Sequence, residues 1–261
     1  MTTVHPSPAV TILFFTKAPR PGKVKTRLAK DTGDAYAARL HAAFVETLSY
    51  MLERAAEELS RRGITTSLVL ARADESFHPL FDEDILEREG ADHRRRWTQH
   101  LQRGEDLGER LAHALISTHT QSPTSKILIL GSDSPTLTAS MLVDAVEQLE
   151  RHDVVLGPSF DGGYYLIGLS NTSERSVFER ITWSSSEVLG QTLERCREAD
   201  LDVKLLPFWY DVDTIEDLVM LRTHLLQYLV ASPAAQHYSS VVKELESLSA
   251  AHQDHNRSNE T

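Results

Sequence analysis

The sequence predicts an α/β protein with a mostly parallel, mixed sheet and helices on both faces. Short apolar runs alternate with longer segments whose apolar residues recur at helical spacing. The run at residues 10–15 is continuously apolar, which is typical of a strand buried on both faces. A DGG turn at 161–163 joins two predicted strands directly, so we expect one antiparallel pairing within the sheet.

The first half of the chain alternates strand and helix signals. Residues 34–59 carry Leu40, Phe44 and Leu48 at helical spacing and predict a long amphipathic helix. The sequence KILIL at 126–130 predicts a strand, which the polar sequence GSDSP ends. The other elements predicted here are a strand at 64–71, a short helix at 77–88, a short strand in the sequence HRRRW before Thr98 and a helix at 107–117.

The second half repeats the alternation. Thr138 is suited to cap a helix that we expect to run to about Arg151. Residues 164–169 are rich in strand formers, and the sequence DVDT opens a long helix at 215–229. The remaining predicted elements are a strand at 153–157, a helix at 186–199 and a strand at 203–208.

Composition limits the class of protein and its partners. We expect one domain at 1–230, then a segment at 231–261 with a helix at 237–248 and a polar, disordered tail. A pI near 5.5 argues against nucleic acid and anionic membranes as partners. The first residues lack the basic segment of a signal peptide, so we expect a cytoplasmic protein. The single cysteine, Cys196, excludes an internal disulfide.

A basic loop follows the first predicted strand. Six Lys or Arg residues and no acid lie between Lys17 and Lys30, although the chain has a net charge of −11. Gly22 allows close approach of backbone to a ligand, and a helix expected to start near Lys23 offers free N–H groups. These features favour an anion site over a solvated basic surface. The preferred phosphate contacts are Lys17, Lys25 and Arg27.

Acidic residues follow two later strands at the same predicted edge of the sheet. Asp133 follows the strand at 126–130, where a carboxylate can hold Mg²⁺ together with phosphate oxygens or can form a turn. Asp211 and Asp213 follow the strand at 203–208; one can cap the next helix while the other faces the site. We expect Asp213 to be the second metal ligand.

Two glycine-containing loops are further candidates. Asp161 precedes Gly162 and Gly163 in a turn that serves a hairpin or leaves room for a ligand. In the sequence QRGEDLGERL, a polar turn leads into a helix that Asp106 can cap, and the turn can present backbone to a nucleobase. A purely structural role accounts for the sequence of this second loop equally well.

These segments resemble a bacterial family of glycosyltransferase-A-like proteins, of the radical-SAM-associated or arsenosugar-biosynthesis type. The resemblance covers about residues 10–229 and rests on six motifs in order: FFTKAPRPGKVKTRL, QRGEDLGERL, GSDSPTL, VVLGPSFDGGYYLIGL, ITWSS and YDVDTIEDL. More distantly, the chain is similar to the molybdenum-cofactor and 2-phospho-L-lactate guanylyltransferases. Both groups share a Rossmann-like nucleotide-diphospho-sugar transferase fold.

The resemblance implies roles for particular residues. The basic loop would hold phosphates, Asp133 would bind the metal, and Asp161 and Asp213 would lie in the binding site. The base would lie near the QRGEDLG loop, that is, near Gly104, Asp106 and Gly108. The sequence Ser132-Asp133-Ser134 departs from the usual Asp-x-Asp metal motif, so a metal needs help from Asp213, Asp211 or Asp161.

We therefore expect a metal-dependent glycosyltransferase that takes a sugar from a nucleotide-diphosphate sugar. Mg²⁺ or Mn²⁺ on Asp133 and the cations Lys17, Lys25 and Arg27 would stabilise the departing diphosphate. Asp161 would orient or deprotonate a small-molecule acceptor. The alternatives are a nucleotidyltransferase that joins a nucleoside triphosphate to a phosphorylated acceptor, and a non-catalytic nucleotide-binding protein.

Overall fold

Seven strands form one mixed sheet. The computed structural model describes residues 9–73, 97–123, 125–170, 175–229 and 237–259. The strands are β1 Val10–Thr16, β2 Thr66–Arg72, β3 Trp97–Leu101, β4 Lys126–Leu130, β5 Val154–Pro158, β6 Tyr164–Leu169 and β7 Val203–Leu205. Their order is β3-β2-β1-β4-β6-β5-β7, and β6 alone among them runs antiparallel to its neighbours. The predicted mixed, mostly parallel sheet is confirmed, including the antiparallel pair across the DGG turn.

The helices of the described chain lie between these strands or after the last of them. They are α1 Thr26–Thr32, α2 Asp34–Arg61, α3 Leu107–Gln121, α4 Ala139–Gln148, α5 Val188–Glu198, α6 Ile215–Leu229 and α7 Ser239–Asn259, with a 3₁₀ turn at Arg175–Phe178. Thr138 caps α4, as predicted, by accepting a hydrogen bond from the Met141 N–H. The helix predicted at 77–88 lies outside the described residues, as do residues 93–96 of the predicted HRRRW strand.

Two apolar clusters cover the two faces of the sheet. Alternate residues of β1 point to opposite sides, so Ile12 and Phe14 pack with α2 and α4, while Leu13 and Phe15 pack with α3 and α5. All seven residues of β1 are buried, in agreement with its continuous apolar pattern. Among the described helices, none is both long enough and apolar enough to cross a membrane.

The carboxyl ends of β1, β3, β4, β5 and β7 lie at one edge of the sheet. These strands run in the same direction. Because β6 is antiparallel to both β4 and β5, those two strands are parallel to each other. The basic loop, the GSDSP loop, the DGG turn and the segment before α6 therefore all leave from this edge. The predicted convergence of the polar loops is confirmed, and it positions the candidate site.

The last helix packs on α2. Tyr50 of α2 stacks on His237, with 4.0 Å between the ring centroids, and Arg39 forms an ion pair with Glu244. Helix α7 extends to Asn259, well past the end predicted at residue 248. It thus includes most of the segment predicted as a polar tail.

Candidate active site

A buried lysine joins two carboxylates from distant parts of the chain. The Lys25 Nζ donates hydrogen bonds to Asp133 Oδ1 and to Asp213 Oδ1, the latter at 3.0 Å. The Lys25 side chain is 2% exposed, whereas those of Asp133 and Asp213 are 49% and 41% exposed. The Val212 N–H also donates to the Asp133 carbonyl at 2.9 Å, which fixes the two acidic segments side by side. We call this arrangement the Lys25 bridge.

The backbone at Lys25 turns its side chain inward. Lys25 is the N-cap residue of α1 and has φ 47°, a left-handed conformation that is uncommon for a lysine. Val24 and Leu28 on either side are buried and hold the turn against the core. The ammonium lies 5.5 Å from the centroid of the Phe44 ring. The first turn of α1 thus positions one cation of the basic loop beneath the two acids.

The electrostatics of the bridge favour its ionised form. Burial alone would lower the pKa of Lys25, but the charges of Asp133 and Asp213 raise it above the usual 10.5. Burial would likewise raise the pKa of Asp133, but the Lys25 ammonium holds it below the usual 3.8. The ammonium and the Asp133 carboxylate are therefore both charged throughout the neutral range.

Asp211 occupies a different environment from Asp213. The Ser134 Oγ donates to Asp211 Oδ1 at 2.5 Å. Burial raises the pKa of Asp211 to about 6, and the negative charges of Asp133 and Asp161 add to the effect. Asp133, Asp161 and Asp211 thus lie close enough to influence one another, and Asp211 takes up a proton at a higher pH than a solvated aspartate does.

Neither Asp211 nor Asp213 caps the following helix, so the prediction that one of them would do so is wrong. Asp217 Oδ2 instead accepts from the N–H groups of Asp213 and Thr214, and the Asp217 N–H donates to Thr214 Oγ1. This reciprocal cap satisfies the helix start from within the first turn. Both earlier acids are therefore available to the site.

Asp161 is held at the rim of the site by its own loop. Its Oδ1 accepts from the Ser159 Oγ at 2.5 Å and from the Gly163 N–H at 2.9 Å, and its side chain is exposed. Gly162 has φ +89°, and a Cβ there would lie 2.1 Å from the Ser186 carbonyl oxygen. The glycine is thus required for the loop to pass this close to the segment before α5.

The basic loop contributes more exposed cations. Lys17 is exposed, and its charge helps to lower the pKa of Asp133, which places the two groups in one neighbourhood. Arg27 is exposed in the first turn of α1, and Gly22 adopts φ +73°. The helix begins at Thr26 instead of near Lys23, because the turn around Lys25 is left-handed.

The loop that contains Gly104, Asp106 and Gly108 lies at the end of β3, three strands from β4. Asp106 caps α3 by accepting from the Glu109 N–H at 2.9 Å, as predicted. A Cβ on Gly104 would lie 2.6 Å from the Glu109 Cβ, and a Cβ on Gly108 would lie 2.4 Å from the Trp183 Nε1. Local packing accounts for all three residues, and no described hydrogen bond links them to the Lys25 bridge.

Sequence reasoning missed His41. This α2 residue is 3% exposed, and its Nε2 lies 3.0 Å from the Lys17 carbonyl oxygen and 3.4 Å from the Thr16 Oγ1. Burial lowers the pKa of His41 below its usual 6.5, so the ring is neutral near pH 7. The position of His41 on the buried stripe of α2, next to Leu40, was the available signal.

Comparison with known proteins agrees with this architecture. A solved structure named as a putative nucleotide-diphospho-sugar transferase, from Desulfovibrio desulfuricans G20, is 32% identical, with a TM-score of 0.70. The match covers 92% of this chain and 98% of that one. The chain belongs to the family of that protein. Residues 65–185 also match the family described as an uncharacterized protein conserved in bacteria, DUF2064.

Two nucleotidyltransferase structures are more distantly similar. A cytidylyltransferase from Leptospira borgpetersenii is 14% identical, with a TM-score of 0.48, over 94% of this chain and 96% of that one. The 4-diphosphocytidyl-2C-methyl-D-erythritol synthase from Anaerococcus prevotii is 11% identical, with the same TM-score, over 84% and 99%. The fold of this family member is that of the nucleotide-diphospho-sugar transferases.

The acids of the Lys25 bridge suit a divalent cation that is shared with a substrate. Within the described ranges, no three His, Cys, Asp or Glu side chains are arranged to hold a metal ion by themselves. Mg²⁺ commonly binds one or two carboxylates and completes its shell with water and substrate phosphate oxygens. Asp133 and Asp213 are two half-exposed carboxylates held at one point, so this pair fits that mode of binding.

Proposed function

We propose that this family member is a transferase that moves a sugar from a nucleotide-diphosphate sugar to a small-molecule acceptor. The observation that carries this proposal is the Lys25 bridge, which joins the basic loop to Asp133 and Asp213 at the carboxyl edge of the sheet. Ligands of open α/β sheets bind at this edge. The name of the Desulfovibrio relative supports the same substrate class.

The cations of the basic loop would bind the diphosphate. Lys17 and Arg27 are exposed residues of the basic loop, and the Lys25 ammonium of the same loop bonds Asp133. Positive groups already in place stabilise the negative charge that the diphosphate gains as it departs. Bound Mg²⁺ or Mn²⁺, held by Asp133 and Asp213, would neutralise further charge on the phosphate oxygens.

Asp161 is the group proposed to take the proton from the hydroxyl of the acceptor substrate. An acceptor hydroxyl oxygen forms a bond to the anomeric carbon of the sugar, and the bond from that carbon to the diphosphate oxygen breaks. The bonding electrons leave with the nucleoside diphosphate, and the hydroxyl proton passes to Asp161. Hydrogen bonds from Ser159 and Gly163 fix one oxygen of Asp161, so the carboxylate is already oriented for this role.

A product assay tests the proposal. The protein is incubated with Mn²⁺, a panel of nucleotide-diphosphate sugars or nucleoside triphosphates, and candidate acceptors, and ³¹P NMR follows the phosphates. We expect free nucleoside diphosphate from the sugar donors. Asp133→Asn should reduce this release at least tenfold. The matched control is Asp200→Asn, an exposed acid in the turn before β7, at the opposite edge of the sheet.

Nucleotidyl transfer is the second candidate. The six cations between Lys17 and Lys30 suit a triphosphate at least as well as a diphosphate. In this case the assay would show pyrophosphate and a nucleotidylated product, and sugar transfer would be refuted.

A non-catalytic nucleotide-binding role is the third candidate. Tight nucleotide binding without turnover across the whole panel of donors and acceptors would favour it. Calorimetry with and without Mn²⁺ tests the metal ligands separately. If Asp133→Ala leaves metal-dependent nucleotide binding undiminished, the assignment of Asp133 is wrong.

A further inference from the structure

Two exposed phenylalanines lie beside the candidate site. Phe160 is 70% exposed and Phe208 is 52% exposed, and their rings stack with 5.8 Å between centroids and 26° between planes. None of the other large, exposed apolar residues in the described ranges is aromatic. We call Phe160 and Phe208 the aromatic pair.

The aromatic pair is continuous with the candidate site. Phe160 directly precedes Asp161, the proposed proton acceptor. Phe208 precedes Trp209, whose indole N–H donates to Thr136 Oγ1 at 3.0 Å, in the loop that carries Asp133. The pair thus connects the DGG turn with the segment that leads to Asp211.

Hydrogen bonds tie down the backbone of the segments that carry the two rings. The Trp209 N–H donates to the Pro158 carbonyl at 3.0 Å, and the Tyr165 hydroxyl donates to the Pro207 carbonyl at 3.1 Å. The Leu189 N–H donates to the Gly162 carbonyl at 2.9 Å. Since the backbone on both sides is fixed by hydrogen bonds, the rings project into solvent from a defined platform.

The order of the strands separates the aromatic pair from the basic loop. The cations of the basic loop follow β1, and the pair lies at the ends of β5 and β7 on the other side of β4. A diphosphate at the basic loop therefore leaves the pair free for the second substrate. Binding sites for small molecules typically combine apolar and aromatic walls with a few placed polar groups, here Asp161.

We propose that Phe160 and Phe208 form the acceptor subsite and that the acceptor carries a ring with an apolar face, which packs on them next to its reacting hydroxyl. This inference rests on the proposed function and specifies its second substrate. The face of an aromatic ring and the C–H face of a sugar ring can each cover an exposed phenylalanine ring.

Binding of three polyols tests the proposal without turnover. D-Sorbitol supplies hydroxyls without a ring, methyl β-D-glucopyranoside supplies a sugar ring, and phenyl β-D-glucopyranoside adds an aromatic ring. NMR titration of the full-length protein should give at least one ring-bearing probe a dissociation constant roughly tenfold lower than that of sorbitol. A gain already present for the methyl glucoside identifies a sugar ring, and a gain for the phenyl glucoside alone identifies an aromatic ring.

Substitutions locate the effect. The double variant Phe160→Ala/Phe208→Ala should abolish the preference for a ring, and Phe160→Tyr should keep it. Leu226→Ala, at an exposed apolar residue of α6, is the matched control and should change nothing. Because both rings are mostly exposed, we expect an unchanged unfolding temperature for the double variant.

The outcomes separate this inference from the proposed function. Equal affinities for all three probes, or a preference that survives the double substitution, would overturn the acceptor subsite. A dimer that dissociates in the double variant, without any preference for a ring, would assign the pair to a second copy of the chain and also overturn it. Nucleotide-diphosphate sugar binding is measured in parallel, so a ring preference without nucleotide binding contradicts the proposed function alone.

Discussion

Replacing Lys25 with methionine is the most direct test of the site. Methionine keeps most of the length and the apolar stem of lysine but removes the ammonium. Asp133 and Asp213 then lose the shared cation and face each other's charge. We expect Lys25→Met to destabilise the protein and also to weaken the binding of a nucleotide diphosphate.

The expected loss of stability follows from the exposure of the three groups. Breaking a fully buried ion pair costs about 3–5 kcal/mol. Here the ammonium is 2% exposed, but the Asp133 and Asp213 side chains are 49% and 41% exposed, so water can hydrate the carboxylates that remain. We therefore expect a loss of about 1–3 kcal/mol at pH 7.

The pH dependence of the loss has a defined sign. The pKa of Lys25 is raised above 10.5, so its contribution is present at lower pH and disappears as the pH rises through the folded value. The pKa of Asp133 is held below 3.8, so its contribution is lost as the pH falls through that lower value. The difference between the wild type and Lys25→Met should therefore stay constant between about pH 8 and pH 9, above the range in which Asp211, which also feels the Lys25 charge, takes up a proton.

Urea unfolding measures the effect. A loss of about 1–3 kcal/mol moves the midpoint down by about 0.3–1 M. The matched control is Lys23→Met, because Lys23 is an exposed lysine of the same loop. A double-mutant cycle with Asp133→Asn should give a coupling of about 1 kcal/mol or more. If Lys25→Met unfolds at the same urea concentration as Lys23→Met, the Lys25 bridge does not contribute as described.

Three other predictions concern packing, titration and reactivity. Gly108→Ala should lower the free energy of unfolding by about 1–3 kcal/mol, because the added Cβ would lie 2.4 Å from the Trp183 Nε1. In Gly190→Ala, in α5, the added Cβ meets nothing within 4 Å, so this control should not destabilise the protein. Thermal unfolding of the two variants tests the difference. Asp211 has a pKa of about 6, so its contribution to stability falls as the pH rises towards and through that value. Asp211→Asn should therefore gain stability over the wild type at pH 8 and lose this gain by pH 4, and an equal difference at both pH values would contradict the raised pKa. Burial raises the pKa of the Cys196 thiol to about 11, and the residue is 0% exposed, so a thiol reagent at pH 8 should label it only after unfolding.

Local sequence patterns were sufficient to predict those strands and helices that depend on hydrophobic periodicity or on a turn signal. Continuous apolar runs identified β1 and β4, helical spacing identified α2, and the DGG turn identified the antiparallel β5–β6 pair. The strand predicted at 203–208 is shorter in the structure, ending at Leu205, because the segment after it pairs only by the isolated bridge of Trp209 with Ser159. Strand ends depend on the neighbouring strand, which the local sequence does not contain.

The residues of the candidate site were predictable as a set but not as contacts. The basic loop and Asp133 stood out by charge and by position after strands, and Asp213 by its place before a helix. The choice of Lys25 over Arg27 as the partner of Asp133 depends on the left-handed turn at the start of α1. The capping of α6 by Thr214 and Asp217 likewise depends on the local turn.

The aromatic pair likewise depends on the tertiary structure and not on local sequence. Phe160 and Phe208 are 48 residues apart, and each is an ordinary apolar residue of its own segment. Only the parallel pairing of β5 with β7 brings the two segments together and stacks the rings. His41 was hidden in the same way, because its neighbours in α2 are apolar while its contacts, Thr16 and Lys17, belong to the end of β1.

The sequence by itself determined the α/β class, the direction of the strands and the edge of the sheet at which the charged loops gather. These properties follow from short-range periodicity and from the charge of individual loops, which neighbouring residues specify. The tertiary structure decided which charges meet, because Lys25 is 108 residues from Asp133 and 188 residues from Asp213 along the chain. Burial of one ammonium between two carboxylates requires all three segments to pack at once, and no local stretch of chain encodes that arrangement.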